Sequence, residues 1–148
     1  MKPKIFIDTN VLLDIVLARG SSKASQDVFT AVKEGLVEGV ITTQSIVDAA
    51  YVVRKEGPEF LNAFYDKAPL LYHYFNEEHL DSFDFRYAAE HKSGDFEDDV
   101  QFACAVHSFC DAIITNDKDF RKNHKDENKH ITFFTPEEFI AKLTVPSP

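Results

Sequence analysis

Cysteine is scarce in this chain of 148 residues: there are two, Cys104 and Cys110. Both lie in an apolar segment, and their spacing fits neither a metal cluster nor a redox pair. A disulfide-stapled secreted scaffold is thereby excluded, and reduced core thiols in a cytoplasmic protein are expected. Long apolar runs are missing too: none approaches the ~20 residues that a membrane-crossing helix requires. Lys2 and Lys4 precede Asp8 without a long apolar stretch, so no signal peptide is expected. No repeat, low-complexity tract or linker interrupts the chain, and a single domain over residues 1–148 is expected. Cations are also outnumbered: 16 Lys and Arg against 25 Asp and Glu leave a net charge of −9. That balance disfavours contact with a polyanion unless some of the acids hold divalent cations. A hydrophobic share of 44%, with 14 Phe, is enough for a packed core and excludes disorder.

What is present is an alternation of short apolar runs and helical patterns. Ile5-Phe6-Ile7 runs straight into Asp8, and Val11, Leu12, Ile15 and Val16 then recur at helical spacing. Gly20-Ser21-Ser22 ends this first helix and opens a second, with Ser22 as a cap, which Gly35 stops. Strands are expected at Val37 to Thr42, Leu70 to Phe75, Ala112 to Ile114 and Ile131 to Phe134. Further helices are expected from Thr42, Thr43 or Gln44 to about Lys55, after Gly57-Pro58, from Glu77 to about His91, and from Phe96 to Phe109. Thr135-Pro136-Glu137-Glu138 reads as a capping box that opens the last helix. Residues 121–130 read as a charged, solvated loop. The alternation implies an α/β fold: a three-layer α/β/α sandwich around a mainly parallel sheet of four to five strands.

Several acids stand where such a fold does its chemistry, at the carboxyl ends of strands. Asp8 follows the first strand, although Asp8, Thr9 or Asn10 could simply cap the next helix. Asp48 lies in a helix that is apolar nearly all round, where a carboxylate is costly unless it is paired or bound to metal. Asp95-Phe96-Glu97-Asp98-Asp99 opens another helix with more acids than a cap requires. Asp117 follows Ile113-Ile114-Thr115-Asn116, where a turn is the plain alternative. Asp111, at the opposite end of that strand, reads as structural, and His107 as a satisfied buried imidazole rather than a ligand in a core-like helix. Carboxylates that converge repel one another, and only cations make convergence favourable. Oxygen ligands without Cys or His point to Mg²⁺ or Mn²⁺ rather than Zn²⁺.

In Phe6-Ile7-Asp8-Thr9-Asn10-Val11-Leu12-Leu13-Asp14, in Asp98 ahead of Ala103 and Ala105, and in Ile113-Ile114-Thr115-Asn116-Asp117-Lys118-Asp119-Phe120, the chain resembles the PIN-domain family of metal-dependent nucleases. The resemblance is strongest to VapC-like ribonuclease toxins and runs from Ile5 to about Phe139. It implies a catalytic set of Asp8, Asp48, Asp98 and Asp117, with Asp8, Asp98 and Asp117 as Mg²⁺ (or Mn²⁺) ligands and Thr115 and Asn10 in support. Asp99 is the alternative to Asp98. The number of ions, one or two, stays open. The resemblance further implies hydrolysis of RNA to a 5′-phosphate and a 3′-hydroxyl, a small antitoxin protein as partner in a type II pair, and a homodimer. One departure is that the family's second acid is usually Glu, whereas here it is Asp48. The rival readings are a PIN fold that acts only through protein contacts, and a phosphoryl-transfer domain with Asp8 as nucleophile and Lys118 nearby.

Overall fold

The computed structural model describes residues 2–18 and 23–144. β1 (Lys4–Ile7) leads into α1 (Thr9–Leu17), and α2 (Lys23–Lys33), β2 (Glu38–Thr42), α3 (Thr43–Glu56) and α4 (Pro58–Tyr74) follow. Next come β3 (Asn76–Glu78), α5 (Ser82–His91), α6 (Phe96–His107), β4 (Ala112–Ile114), α7 (Lys118–His124), β5 (Thr132–Phe134) and α8 (Pro136–Thr144). The expected break at Gly20-Ser21-Ser22, with its Ser22 cap, lies outside the described residues.

The five strands form one sheet, ordered β3-β2-β1-β4-β5 and parallel throughout. β1 is central because its side chains bury on both faces. Ile5 and Ile7 join the core under α1, α2, α3, α4 and α8, while Phe6 joins a second core with Phe102, Phe120 and Phe133 under α6 and α7. Each such fully buried side chain contributes about 1.5–3 kcal/mol. These two cores are the outer contacts of a three-layer sandwich. The chain moves one way from β1 to β3 and resumes on the other side at β4, so the order reverses between β1 and β4. Crevices at such reversals, beyond the carboxyl ends of the strands, are where this kind of sheet binds ligands.

Four expectations are corrected. Leu70 to Tyr74 is not a strand but the end of α4, because Leu71 and then Phe75 continue the buried face of Phe64 at helical spacing. Phe75 closes over Gly39 of β2, where a Cβ would lie 2.6 Å from its ring. The third strand is instead the polar Asn76–Glu78, an edge strand of the charged kind that resists further pairing. Accordingly the fifth helix starts at Ser82 rather than Glu77, where Asp81 and Asp84 form a reciprocal capping box. The loop expected at 121–130 begins as helix α7, whose His124 is 1% exposed among aromatic rings. Finally, α3 is buried on one side only: Ile46, Ala49 and Val53 are covered, whereas Val47 and Tyr51 are exposed. The capping box at Thr135 and Glu138 is formed as expected, with bonds of 3.0 and 3.1 Å.

Candidate active site

Asp8 is placed by the sheet itself. Its N–H donates to the Ile114 carbonyl at 3.1 Å, which extends the β1–β4 ladder by one residue. Its backbone takes the N-cap position of α1, but its side chain makes no capping bond. The carboxylate instead accepts from the Thr115 hydroxyl at 2.7 Å. The plain capping alternative therefore fails for this residue. Thr115 is held in turn by the ladder, its N–H donating to the Phe134 carbonyl at 2.9 Å. The same hydroxyl accepts from the Asp117 N–H at 3.0 Å, so Thr115 fixes Asp8 and the Asp117 backbone together. Asp117 caps α7, accepting from the N–H groups of Asp119 and Phe120 at 2.9 and 3.2 Å.

α3 brings a further acid. The Thr9 and Thr42 hydroxyls both donate to Ser45 Oγ at 2.9 Å, which ties the start of α1 to the start of α3. Asp48 lies one turn further along and accepts from Gln44 at 2.9 Å. It is half-buried rather than buried, because its helix is covered on one side only. The premise that a deeply buried Asp48 needs a partner is corrected accordingly.

α6 supplies the rest. Asp95 caps it, accepting from the Asp98 N–H at 3.0 Å. Asp98 and Asp99 then point to different sides. Asp98 lines the pocket with Asp8, whereas Asp99 accepts from the Ser93 N–H at 3.1 Å and faces His124. Asp99 Oδ1 is 2.8 Å from His124 Nε2, and burial holds that imidazole below its usual range in spite of the carboxylate beside it. Of the two alternatives at this position, the structure brings Asp98 to the pocket.

The result is one cleft of about 210 Å³ lined by Asp8, Asn10, Asp48, Asp95, Glu97, Asp98 and Asp117 beside Thr9, Leu13 and Val52. All four acids singled out in the sequence meet there, with Asn10 at the wall and Thr115 bonded behind Asp8. Two more, Asp95 and Glu97, join them; the surplus of acids at the start of α6 was their only sign in the sequence. Oxygens of Asp95, Asp98 and Asp117 lie within 4.8 Å of one another. Among the described residues neither Lys118 nor any other Lys, Arg or His lines the cleft.

Such crowding works against ionisation. Burial, partly countered by the Thr115 hydroxyl and the Thr9 N–H and then reinforced by Asp117 and Asp95, pushes the Asp8 carboxyl up to about 6. Burial, with Asp95, Asp8, Asp117 and Glu97, pushes Asp98 up to about 8. Glu97 is also raised, chiefly by burial and then by Asp48, Asp8 and Asp95. An all-oxygen, mutually repelling set without its own cation fits a hard divalent ion. Away from the cleft, His107 is satisfied by Asp84 at 2.8 Å, as expected, though it is partly exposed. Cys104 and Cys110 are free and buried.

A family model described as PIN domain matches residues 4–119. No curated protein sequence matches the chain. Among solved structures, VapBC2 from Rickettsia felis, bound to a DNA fragment from its promoter, is similar with a TM-score of 0.63 at 11% identity, covering 89% of this chain and 98% of that one. VapC20 of Mycobacterium tuberculosis, a toxin that cleaves the sarcin-ricin loop, gives 0.64 at 17% identity, covering 80% and 93%. A toxin–antitoxin complex from Klebsiella pneumoniae gives 0.61 at 14%, covering 89% and 97%. At these identities the likeness is one of fold.

Proposed function

The chain belongs to the PIN-domain family, and from that premise we propose that it is a divalent-metal-dependent endoribonuclease, the toxin of a type II toxin–antitoxin pair. The observation that carries the reading is the cleft of six carboxylates at the β1–β4 reversal, with no cationic side chain on its wall among the described residues. Asp98 and Asp117 would hold Mg²⁺ or Mn²⁺ together with Asp95, whose carboxylate oxygen groups with theirs, and with Asp8, which lines the same cleft. When bound, such an ion lowers the pKa of water and stabilises the leaving oxygen of a phosphodiester. Thr115 keeps the Asp8 carboxylate oriented by donating to one of its oxygens. Asp48 and Glu97 face the cleft from its α3 and α6 walls and would orient the attacking water. The expected products are a 5′-phosphate and a 3′-hydroxyl.

Fold likeness to a toxin that cleaves the sarcin-ricin loop supports RNA as the substrate. Likeness to proteins solved as toxin–antitoxin complexes supports a small antitoxin as partner. Free, buried cysteines accord with a reducing cytoplasm. The test is RNA degradation with and without Mg²⁺, comparing wild type with Asp8→Asn. Wild type is expected to cleave only with the ion and the folded variant not at all; equal cleavage by both would refute the assigned site. The short arm of Asp48 favours one rival, a PIN fold acting through protein contacts alone, for which neither protein cleaves.

A further inference from the structure

We propose that the apolar pocket next to the acidic cleft is a nucleobase subsite, in which the base of a nucleotide flanking the scissile phosphate stacks on Phe85 and Phe96. The inference rests on the ribonuclease reading and names where a single-stranded substrate is gripped. The pocket has a volume of about 250 Å³ and includes Leu80, Phe85, Phe96, Val100 and Gln101 in its wall. It shares Asp48 and Glu97 with the acidic cleft, so the two adjoin. Phe96 stands between Asp95 and Glu97, which places the ring one residue from two acids of the cleft.

Three features select the occupant. The rings of Phe85 and Phe96 lie within 5° of parallel with centroids 6.4 Å apart, yet are 45% and 55% exposed. Flat ring faces held parallel in water suit a flat aromatic ligand, and single-stranded nucleic acids are gripped this way. Among the described residues the wall carries no Lys or Arg, and two carboxylates stand at its junction with the cleft. A phosphate is therefore repelled from the pocket and drawn to the cation site, while an uncharged base can enter. Third, Gln101 is 3% exposed and donates to Glu97 at 3.1 Å, but its carbonyl oxygen has no partner among the described residues. A buried acceptor left unpaired costs about 1–3 kcal/mol, and turning the Gln101 amide toward the pocket it lines would offer that oxygen to an N–H of a base.

The experiment compares wild type with Phe85→Leu and Phe96→Leu on short, labelled single-stranded RNAs in Mg²⁺, with folding checked by circular dichroism. One base–aromatic stack is worth about 1–3 kcal/mol, so KM is expected to rise about 5- to 150-fold while kcat changes little. Removing the base at one substrate position should raise KM equally for wild type and add nothing for the variants. Variants with wild-type KM overturn the subsite, as does an abasic effect that persists undiminished in them. The subsite is also overturned if RNA kinetics are unchanged while a co-purifying small protein is lost, for that marks a protein contact. In parallel, the four uncharged nucleosides are titrated in EDTA and the Gln101 side-chain amide and Phe ring signals are followed by NMR. If wild type cleaves no RNA, the nuclease reading fails and this titration decides: shifts at Gln101 and Phe96 uphold the base pocket, and unmoved signals overturn it.

Discussion

Replacing Asp8 by Asn should stabilise the metal-free protein while abolishing its response to metal. Asp8 is 3% exposed, and its carboxyl is held at about 6 against 3.8 for the free group. Its ionised form therefore costs the fold about 3 kcal/mol near neutral pH. Asn keeps the shape and an oxygen for the Thr115 hydroxyl but carries no charge for Asp117 and Asp95 to repel. Its amide N–H groups need partners of their own, so the net gain is expected at about 1–3 kcal/mol. For a domain of this size that is a Tm about 3–9 °C higher in EDTA at about pH 8, read by thermal denaturation. The sign of the pH dependence follows from the raised folded-state value. Between 3.8 and about 6 the folded protein holds a proton that the unfolded chain has lost, so wild-type stability falls as pH rises through that window. The gap between variant and wild type should thus grow over that window, grow further toward about 8 because Asp8 helps to hold Asp98 up, and close or reverse below the window, where only the cost of the amide remains. A variant less stable than wild type at about pH 8, or a gap indifferent to pH, would refute the reasoning.

Mg²⁺ or Mn²⁺ should raise the Tm of wild type more at about pH 8 than at about pH 5, because protons compete for Asp8 and Asp98; equal shifts at both would count against shared ligands. Thr115→Val removes the donor to Asp8 and the acceptor for the Asp117 N–H, and is expected to weaken metal binding about 10- to 100-fold by calorimetry. Asp48→Glu restores the longer arm usual in the family and should raise the cleavage rate, whereas Asp48→Asn should lower it; initial rates on one RNA decide.

The centre of the fold was legible because its signals are local. Ile5-Phe6-Ile7 can alternate between two cores only as a buried strand, and the polar residues that end it and β4 had to emerge at the sheet's carboxyl edge. The capping box at Thr135 was legible for the same reason. What was lost depends on distant partners. The aromatic-rich run at Leu70 to Phe75 has the composition of a strand, and only the packing of Leu71 and Phe75 beside Phe64 keeps it helical. Asn76–Glu78 is a strand through its backbone pairing with β2, which leaves no apolar pattern. α7 is seven residues long and charged, anchored by the Asp117 cap and by His124 among Phe102, Phe120 and His91. Asp95 and Glu97 reach the cleft through the direction in which α6 begins, and the separation of Asp98 from Asp99 needed the position of His124.

Crystals grown with Mn²⁺ and measured at its absorption edge test most directly whether these acids meet around a cation. Anomalous density in the cleft, at about 2.1–2.2 Å from oxygens of Asp8 and Asp98, is the expected result. Fully occupied Mn²⁺ elsewhere on the molecule, with none between Asp8 and Asp98, would contradict it.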